Sequence, residues 1–186
     1  MEKVLLQENS LKETCSVCGN ELTRYGSKAL KDGILCRRCA KLCSGWLEKS
    51  DFAERSVEEI VEHLNYRREN QERVNDFKGN KVVDGKYSLF IDDENRTFLI
   101  SKRADFIKDN ADVFNIDDIS KIRIIEKKYV RREGSDVCVQ LFVNHPQFET
   151  LKFQVNEFSC LPTESDEYRE AMNKAYEYVN ALQDRR

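Results

Sequence analysis

The sequence predicts an α+β chain in two parts, a small four-cysteine finger followed by a β-rich body closed by a terminal helix. Three observations predict it. Two Cys-x-x-Cys pairs, Cys15-Ser-Val-Cys18 and Cys36-Arg-Arg-Cys39, lie seventeen residues apart, one of the more specific short signals for a four-coordinate metal site. Between Tyr87 and Val155 apolar residues recur at every second position between turn residues, the period of antiparallel strands. Near the C-terminus Tyr168, Ala171, Met172, Ala175, Tyr176, Val179 and Leu182 form one stripe at helical spacing.

The finger is read first. Four thiolates satisfy a tetrahedral d¹⁰ ion, so Cys15, Cys18, Cys36 and Cys39 are expected to hold one structural Zn²⁺. Gly19 supplies the positive φ that a metal knuckle requires. Tyr25 to Leu30 reads as a strand, Lys31-Asp32-Gly33 as a hairpin turn and Ile34-Leu35 as the return strand. The second pair opens a helix continued by Ala40, Lys41, Leu42 and Trp46. Knuckle, hairpin, knuckle and helix is the order of a treble-clef or zinc-ribbon finger. Cys43, one helical turn beyond Cys39, is either a competing ligand or a small buried residue. The filled coordination sphere favours the second.

At 186 residues the chain is longer than a finger needs. We expect a finger over residues 1–50 with a polar lead-in at Met1–Thr14, a connecting helix over 51–80 and a β-domain over 81–186. Ser56-Val-Glu-Glu59 is a capping box that starts the connecting helix. Val57, Ile60, Val61 and Leu64 follow at helical spacing, Tyr66 to Arg73 is polar, and Gly79-Asn80 ends it. A helix apolar at its ends and solvated in its middle reads as a connector, with His63 at its surface or half-buried. The β-domain reads as a meander of about five strands. Hairpin strands surround Asp92–Asn95, a loose stretch follows from Arg103 to Asn115, and Ile116-Asp-Asp-Ile119 precedes a long strand through Val130. Strands at Val137–Val143 and Phe148–Val155 complete it, in a strongly bent sheet crossed by the terminal helix.

Seven cysteines, five of them in the first quarter, favour metal over disulfides. With no charged leader and no apolar run of membrane-spanning length, we expect a soluble cytoplasmic protein. Two histidines, no Gly-x-Ser-x-Gly elbow and no glycine-rich phosphate loop argue against an enzyme. A four-thiolate ion leaves no position for a reactant water. Cys160 with His145 is the one nucleophile and base pair worth naming, and loop and turn roles are the simpler reading.

The runs Leu30-Lys-Asp-Gly-Ile-Leu-Cys-Arg-Arg-Cys-Ala-Lys-Leu42, Ser56-Val-Glu-Glu-Ile, Tyr66-Arg-Arg-Glu-Asn70, Val143-Asn-His-Pro-Gln-Phe148 and Phe153-Gln-Val155 resemble the bacterial and phage-borne family catalogued as domain of unknown function 4428. The resemblance implies zinc ligation by Cys15, Cys18, Cys36 and Cys39 and nothing at Cys43, where the family's pattern has serine. It further implies a pleckstrin-homology-like or GRAM-like β-domain, and no activity.

The expected function is therefore a non-enzymatic zinc-binding adaptor that recognises a macromolecular partner, a protein first. Nucleic acid is the alternative, through Lys28, Lys31, Arg37, Arg38 and Lys41. Nine Lys/Arg against six Asp/Glu over Met1–Lys49 give +3, which Zn²⁺ with four thiolates lowers to about +1. Anionic lipid is a further alternative, through Lys127, Lys128, Arg131 and Arg132 beside the Gly134 turn. Lysines and arginines at hairpin ends also serve solubility.

Overall fold

The computed structural model describes residues 13–23, 25–47, 51–102, 111–129 and 133–186. The chain divides into two compact units. Among the described residues, the first holds those up to Cys43 together with Leu47–Leu64, and the second holds Ser44–Trp46 and Asn65–Arg186. Most of the expected lead-in and Val130 lie outside the described residues.

In the first unit, strands β1 (Lys28–Ala29) and β2 (Ile34–Leu35) pair antiparallel, with Lys28 opposite Leu35. The turn between them closes through Leu30 N–H donating to the Gly33 carbonyl at 2.9 Å. The strand expected over Tyr25–Leu30 is thus only two residues long. Gly26, at φ +90°, turns the chain just before it, in a backbone region that extended strands do not use. Helix α1 (Arg37–Leu42) begins at the second cysteine pair, as the spacing predicts, but stops short of Trp46 because Cys43 is extended (φ −68°, ψ 155°). Leu42 is 56% exposed and does not cover the finger.

A short helix α2 (Asp51–Glu54) precedes α3 (Val57–Asp76). The capping box forms as expected: Ser56 N–H donates to Glu59 Oε2 at 2.6 Å, and Glu59 N–H to Ser56 Oγ at 3.2 Å. Asp32 Oδ1 accepts a further α3 donor, Val57 N–H, at 2.7 Å. Leu30, Leu35, Leu47, Phe52 and Ile60 bury their side chains in this unit, and so does His63. That full burial corrects the expected surface placement: His63 lies three residues after Ile60 and shares its inward face.

In the second unit, β3 (Asn80–Val83), β4 (Ser88–Asp92), β5 (Thr97–Ser101) and β6 (Val113–Asn115) form one antiparallel sheet in that order. A 3₁₀ turn at Ile116–Asp118 leads into the second sheet, β7 (Ile119–Lys128), β8 (Ser135–His145) and β9 (Phe148–Gln154). Among the described residues, seven strands stand where about five were expected. The two additional ones, β3 and β6, have four and three residues, too short for alternation to reveal. Helix α4 (Asp166–Gln183), capped by Ser165 Oγ accepting from Tyr168 N–H at 3.1 Å, packs on β3, β7 and β8. Its buried stripe is Ala171, Ala175, Tyr178 and Leu182; Tyr176, expected in that stripe, is 52% exposed.

The middle of α3 is polar but not solvated on its inward side. Asp112 is fully buried and accepts from Ser44 Oγ (2.6 Å), Tyr66 Oη (3.0 Å) and Arg67 Nη1 (2.6 Å). Asn70, also buried, donates to the Ala111 carbonyl at 2.9 Å and accepts from Val113 N–H at 2.9 Å. The helix therefore docks through matched polar groups where an apolar stripe is missing. Trp46 stacks on Tyr87 at 6.4 Å and meets Phe114 and Phe153 edge-on. His145 stacks on Phe148 at 5.3 Å and lies edge-on to Tyr66 and Phe114.

Two predictions follow from this packing. Asp112→Ala deprives Arg67, whose side chain is 9% exposed, of its carboxylate and should lower the unfolding free energy by roughly 3–5 kcal/mol in urea titrations. Burial pushes the His145 imidazole below its usual pKa, against the opposing pull of Asp112 and Asp118. A depressed folded-state pKa means that the unfolded chain takes up the proton first. The contribution is therefore complete above the unfolded value of about 6.5 and is lost as pH falls through the folded one. The melting temperature should fall from pH 7 to pH 5, and His145→Phe should flatten that fall.

Candidate metal centre

The sequence builds this site from two knuckles and the hairpin between them. At the first knuckle, Gly19 N–H donates to the Cys15 carbonyl and Cys15 N–H to the Asn20 carbonyl, each at 2.8 Å. Gly19 stands at φ +72°, which L side chains rarely adopt. The hairpin is then tied to this knuckle: Ser16 N–H donates to the Ile34 carbonyl at 2.8 Å, and Ile34 N–H donates to Ser16 Oγ at 3.0 Å. Gly33 is required for that approach, since a Cβ there would stand 2.5 Å from Ser16 Oγ and 2.7 Å from Val57 Cγ2. Ser16 and Gly33 are the supporting residues that the cysteine spacing does not reveal.

With the hairpin so placed, one ligand atom from each of Cys15, Cys18, Cys36 and Cys39 lies within 4.8 Å of every other. Cys15, Cys36 and Cys39 are buried and Cys18 is exposed. Backbone amides point at the sulfurs: Cys36 N–H approaches Cys15 Sγ at 3.3 Å, and Cys39 N–H approaches Cys36 Sγ at 3.4 Å. The Cys18 and Cys36 sulfurs are 3.7 Å apart. Metal–sulfur bonds of about 2.3 Å in a tetrahedron put the sulfurs about 3.8 Å apart, whereas a disulfide needs about 2.0 Å. The donor set therefore fits a tetrahedral, thiolate-seeking ion.

Electrostatics point the same way. Burial pushes the Cys15 thiol up, but amide donors from Cys36, Cys18 and Val17 outweigh it and bring the pKa down to about 6. Cys39 is driven far upward by burial, by hydrogen bonding to Cys18 and Cys36, and by the charge of neighbouring thiolates. Several negative sulfurs this close resist a further one unless a cation stands among them. Cys43 is buried, donates to the Cys39 carbonyl at 3.6 Å and lies outside the group of four, as expected of a filler residue.

The other candidates are dispersed. Lys31, Arg37, Arg38 and Lys41 are exposed on the first unit and Lys28 is half-buried. Lys127 and Lys128 are exposed at the end of β7, while Arg131 and Arg132 lie outside the described residues. Cys160 and His145 do not meet. Cys160 N–H donates to Asp136 near the start of β8 at 2.7 Å, and His145 ends that strand. Nine residues of strand separate those positions by about 30 Å.

Fold and site together define a four-cysteine finger joined to an antiparallel β unit that ends in a helix. Residues 13–63 match the family model described as Domain of unknown function (DUF4428), a stretch that contains all four cysteines. The motifs further along, such as Val143-Asn-His-Pro-Gln-Phe148, lie beyond the match. No curated protein and no solved structure matches the chain.

Elemental analysis of protein purified without chelator should find stoichiometric metal in the wild type and in Cys43→Ser. Cys36→Ser should lose nearly all of it, with loss of amide-exchange protection at β1 and β2.

Proposed function

We propose that the chain is a non-enzymatic adaptor: a finger held together by one structural Zn²⁺, carrying a pleckstrin-homology-like β-domain that recognises a macromolecular partner, a protein first. The observation that carries this reading is the group of four thiols within 4.8 Å of one another, because four protein sulfurs fill a zinc ion's coordination sphere and leave it no position for a reactant. Thiolates in this role suit a reducing compartment such as the cytoplasm. In support of the β-domain reading, four and three antiparallel strands in two sheets are followed by a terminal helix packed on β3, β7 and β8. Among the described residues, no helix is long and apolar enough to cross a membrane.

Nucleic acid is the second reading, favoured by Arg37, Arg38 and Lys41, exposed together on α1. Lys127 and Lys128 give anionic lipid a weaker claim. A pulldown of the tagged, metal-loaded protein from its host, beside a salt titration against mixed DNA and RNA, separates these. The adaptor reading expects capture that persists as salt is raised from about 50 to 200 mM, together with negligible nucleic-acid affinity. Binding that collapses by roughly a thousandfold over that range would replace it with the nucleic-acid reading.

A further inference from the structure

Among the described residues, the sheets of the second unit have four outer strands, and β7, with ten residues, is the longest; β3, β6 and β9 have four, three and seven. The direction of its backbone groups can be read from its partners. Tyr129 N–H donates to the Gly134 carbonyl, which sets the phase of the β7–β8 ladder. With Ile125 opposite Cys138 and Lys127 opposite Asp136, the odd-numbered residues of β7 turn their amides toward β8. Val137 gives the same phase independently. Its carbonyl accepts from Val155 and its N–H donates to Asn156 Oδ1, so both its groups face away from β7, and its opposite residue, Glu126, is not hydrogen-bonded to it. The N–H and C=O groups of Ile122, Ile124, Glu126 and Lys128 therefore point outward, where no strand pairs with them among the described residues.

Helix α4 runs beside this edge. Near its start, the Glu126 carboxylate stands close enough to the Tyr168 hydroxyl to add to burial in raising its pKa; past its end, Arg186 Nη2 donates to the Ser120 carbonyl at 3.1 Å. Met172 and Val179 follow Tyr168 on the same flank, both half-buried, and Ile122 and Ile124 on the strand are half-buried too. Outward backbone groups thus lie beside partly covered apolar side chains, which is what an added strand uses for affinity and for register. Charge narrows the occupant. β7 presents Lys121, Arg123, Lys127 and Lys128, all exposed, against one acid, Glu126. A second copy of β7 would bring cation against cation, whereas an acidic strand meets opposite charge.

We propose that the open edge of β7 accepts an extended acidic peptide as an added strand alongside α4. The proposal rests on the adaptor reading and gives its protein partner a chemistry.

The test uses the metal-loaded full chain and a fluorescent peptide of alternating glutamate and valine. Its controls are the lysine–valine counterpart and a version N-methylated at alternate residues. Glu126→Ala and Glu126→Pro remove the same side chain, but only the proline removes the outward N–H, on the side of an edge strand where proline is tolerated. The acidic peptide should bind wild type and Glu126→Ala alike and protect the Ile122 and Ile124 amides from exchange. Binding should weaken about tenfold or more for Glu126→Pro and for the N-methylated peptide, and the lysine peptide should not bind. If Glu126→Pro melts well below Glu126→Ala, the N-methylated peptide on wild type decides. No binding of the acidic peptide, equal binding after N-methylation, or protection at other strands overturns the proposal; so does a wild-type dimer that Glu126→Pro dissociates. If the acidic peptide fails while salt-resistant capture of a host protein persists, the edge proposal falls and the adaptor reading stands.

Discussion

Four sulfur atoms within 4.8 Å of one another cannot all be ionised unless a cation stands among them, and the knuckles and hairpin of the first unit converge on that group. The amides at Cys36 and Cys39 point at sulfur, so part of the negative charge is met by the backbone before any ion arrives. The rest is not met, and it adds to burial and to hydrogen bonding from Cys18 and Cys36 in making Cys39 resist ionisation. Among the described residues, the buried apolar side chains of this unit, Leu30, Leu35, Leu47, Phe52 and Ile60 among them, are few, and its strands have two residues each. A unit of this size would gain from a bound metal what a larger one gains from its core.

The second unit meets its constraint differently. Its aromatic residues form a continuous set from Trp46 through Tyr87 and Phe153 to Tyr178, and from Phe114 to His145 and Phe148. Into this apolar body Asp112 carries a buried charge, tolerable because a guanidinium and two hydroxyls converge on it. The same group explains why α3 can be polar through Tyr66–Arg73 and still be part of the unit. Arg67 and Asn70 are docking residues whose partners, Ala111 and Asp112, lie some forty residues away in sequence.

That separation marks the limit of what the sequence made legible. Local chemistry was readable: the doubled cysteine pairs, the Ser56–Glu59 capping box, the hairpin across Asp92–Asn95 and the long strands β7 and β8 all stand where spacing and period put them. Features decided by distant partners were not. His63 and Asn70 look like solvated residues until their inward face is known, and Trp46 looks like a continuation of α1 until Cys43 is seen to break the helix. On α4, Tyr176 and Tyr178 both fit an apolar stripe, and only packing shows that Tyr178 turns inward, its hydroxyl bonded to the Tyr87 carbonyl. At the metal centre the ligands were legible and their supports were not, because Ser16 and Gly33 act through a backbone approach that carries no motif.

The outer strands of the second unit show what remains unsatisfied once the core is closed. β3 and β6 are short, β3 carries a register shift, and the pairing of β9 is interrupted by one on its neighbour β8. Such features make an edge a poor template for a neighbouring chain. β7 has its only register shift at its start, between Ile119 and Lys121, and runs regularly from there to Lys128. What guards it is charge rather than shape: Lys121, Arg123, Lys127 and Lys128 repel a like strand without blocking the backbone. A steric guard excludes every partner, whereas an electrostatic one excludes by sign and so leaves the edge selective for chains of opposite charge.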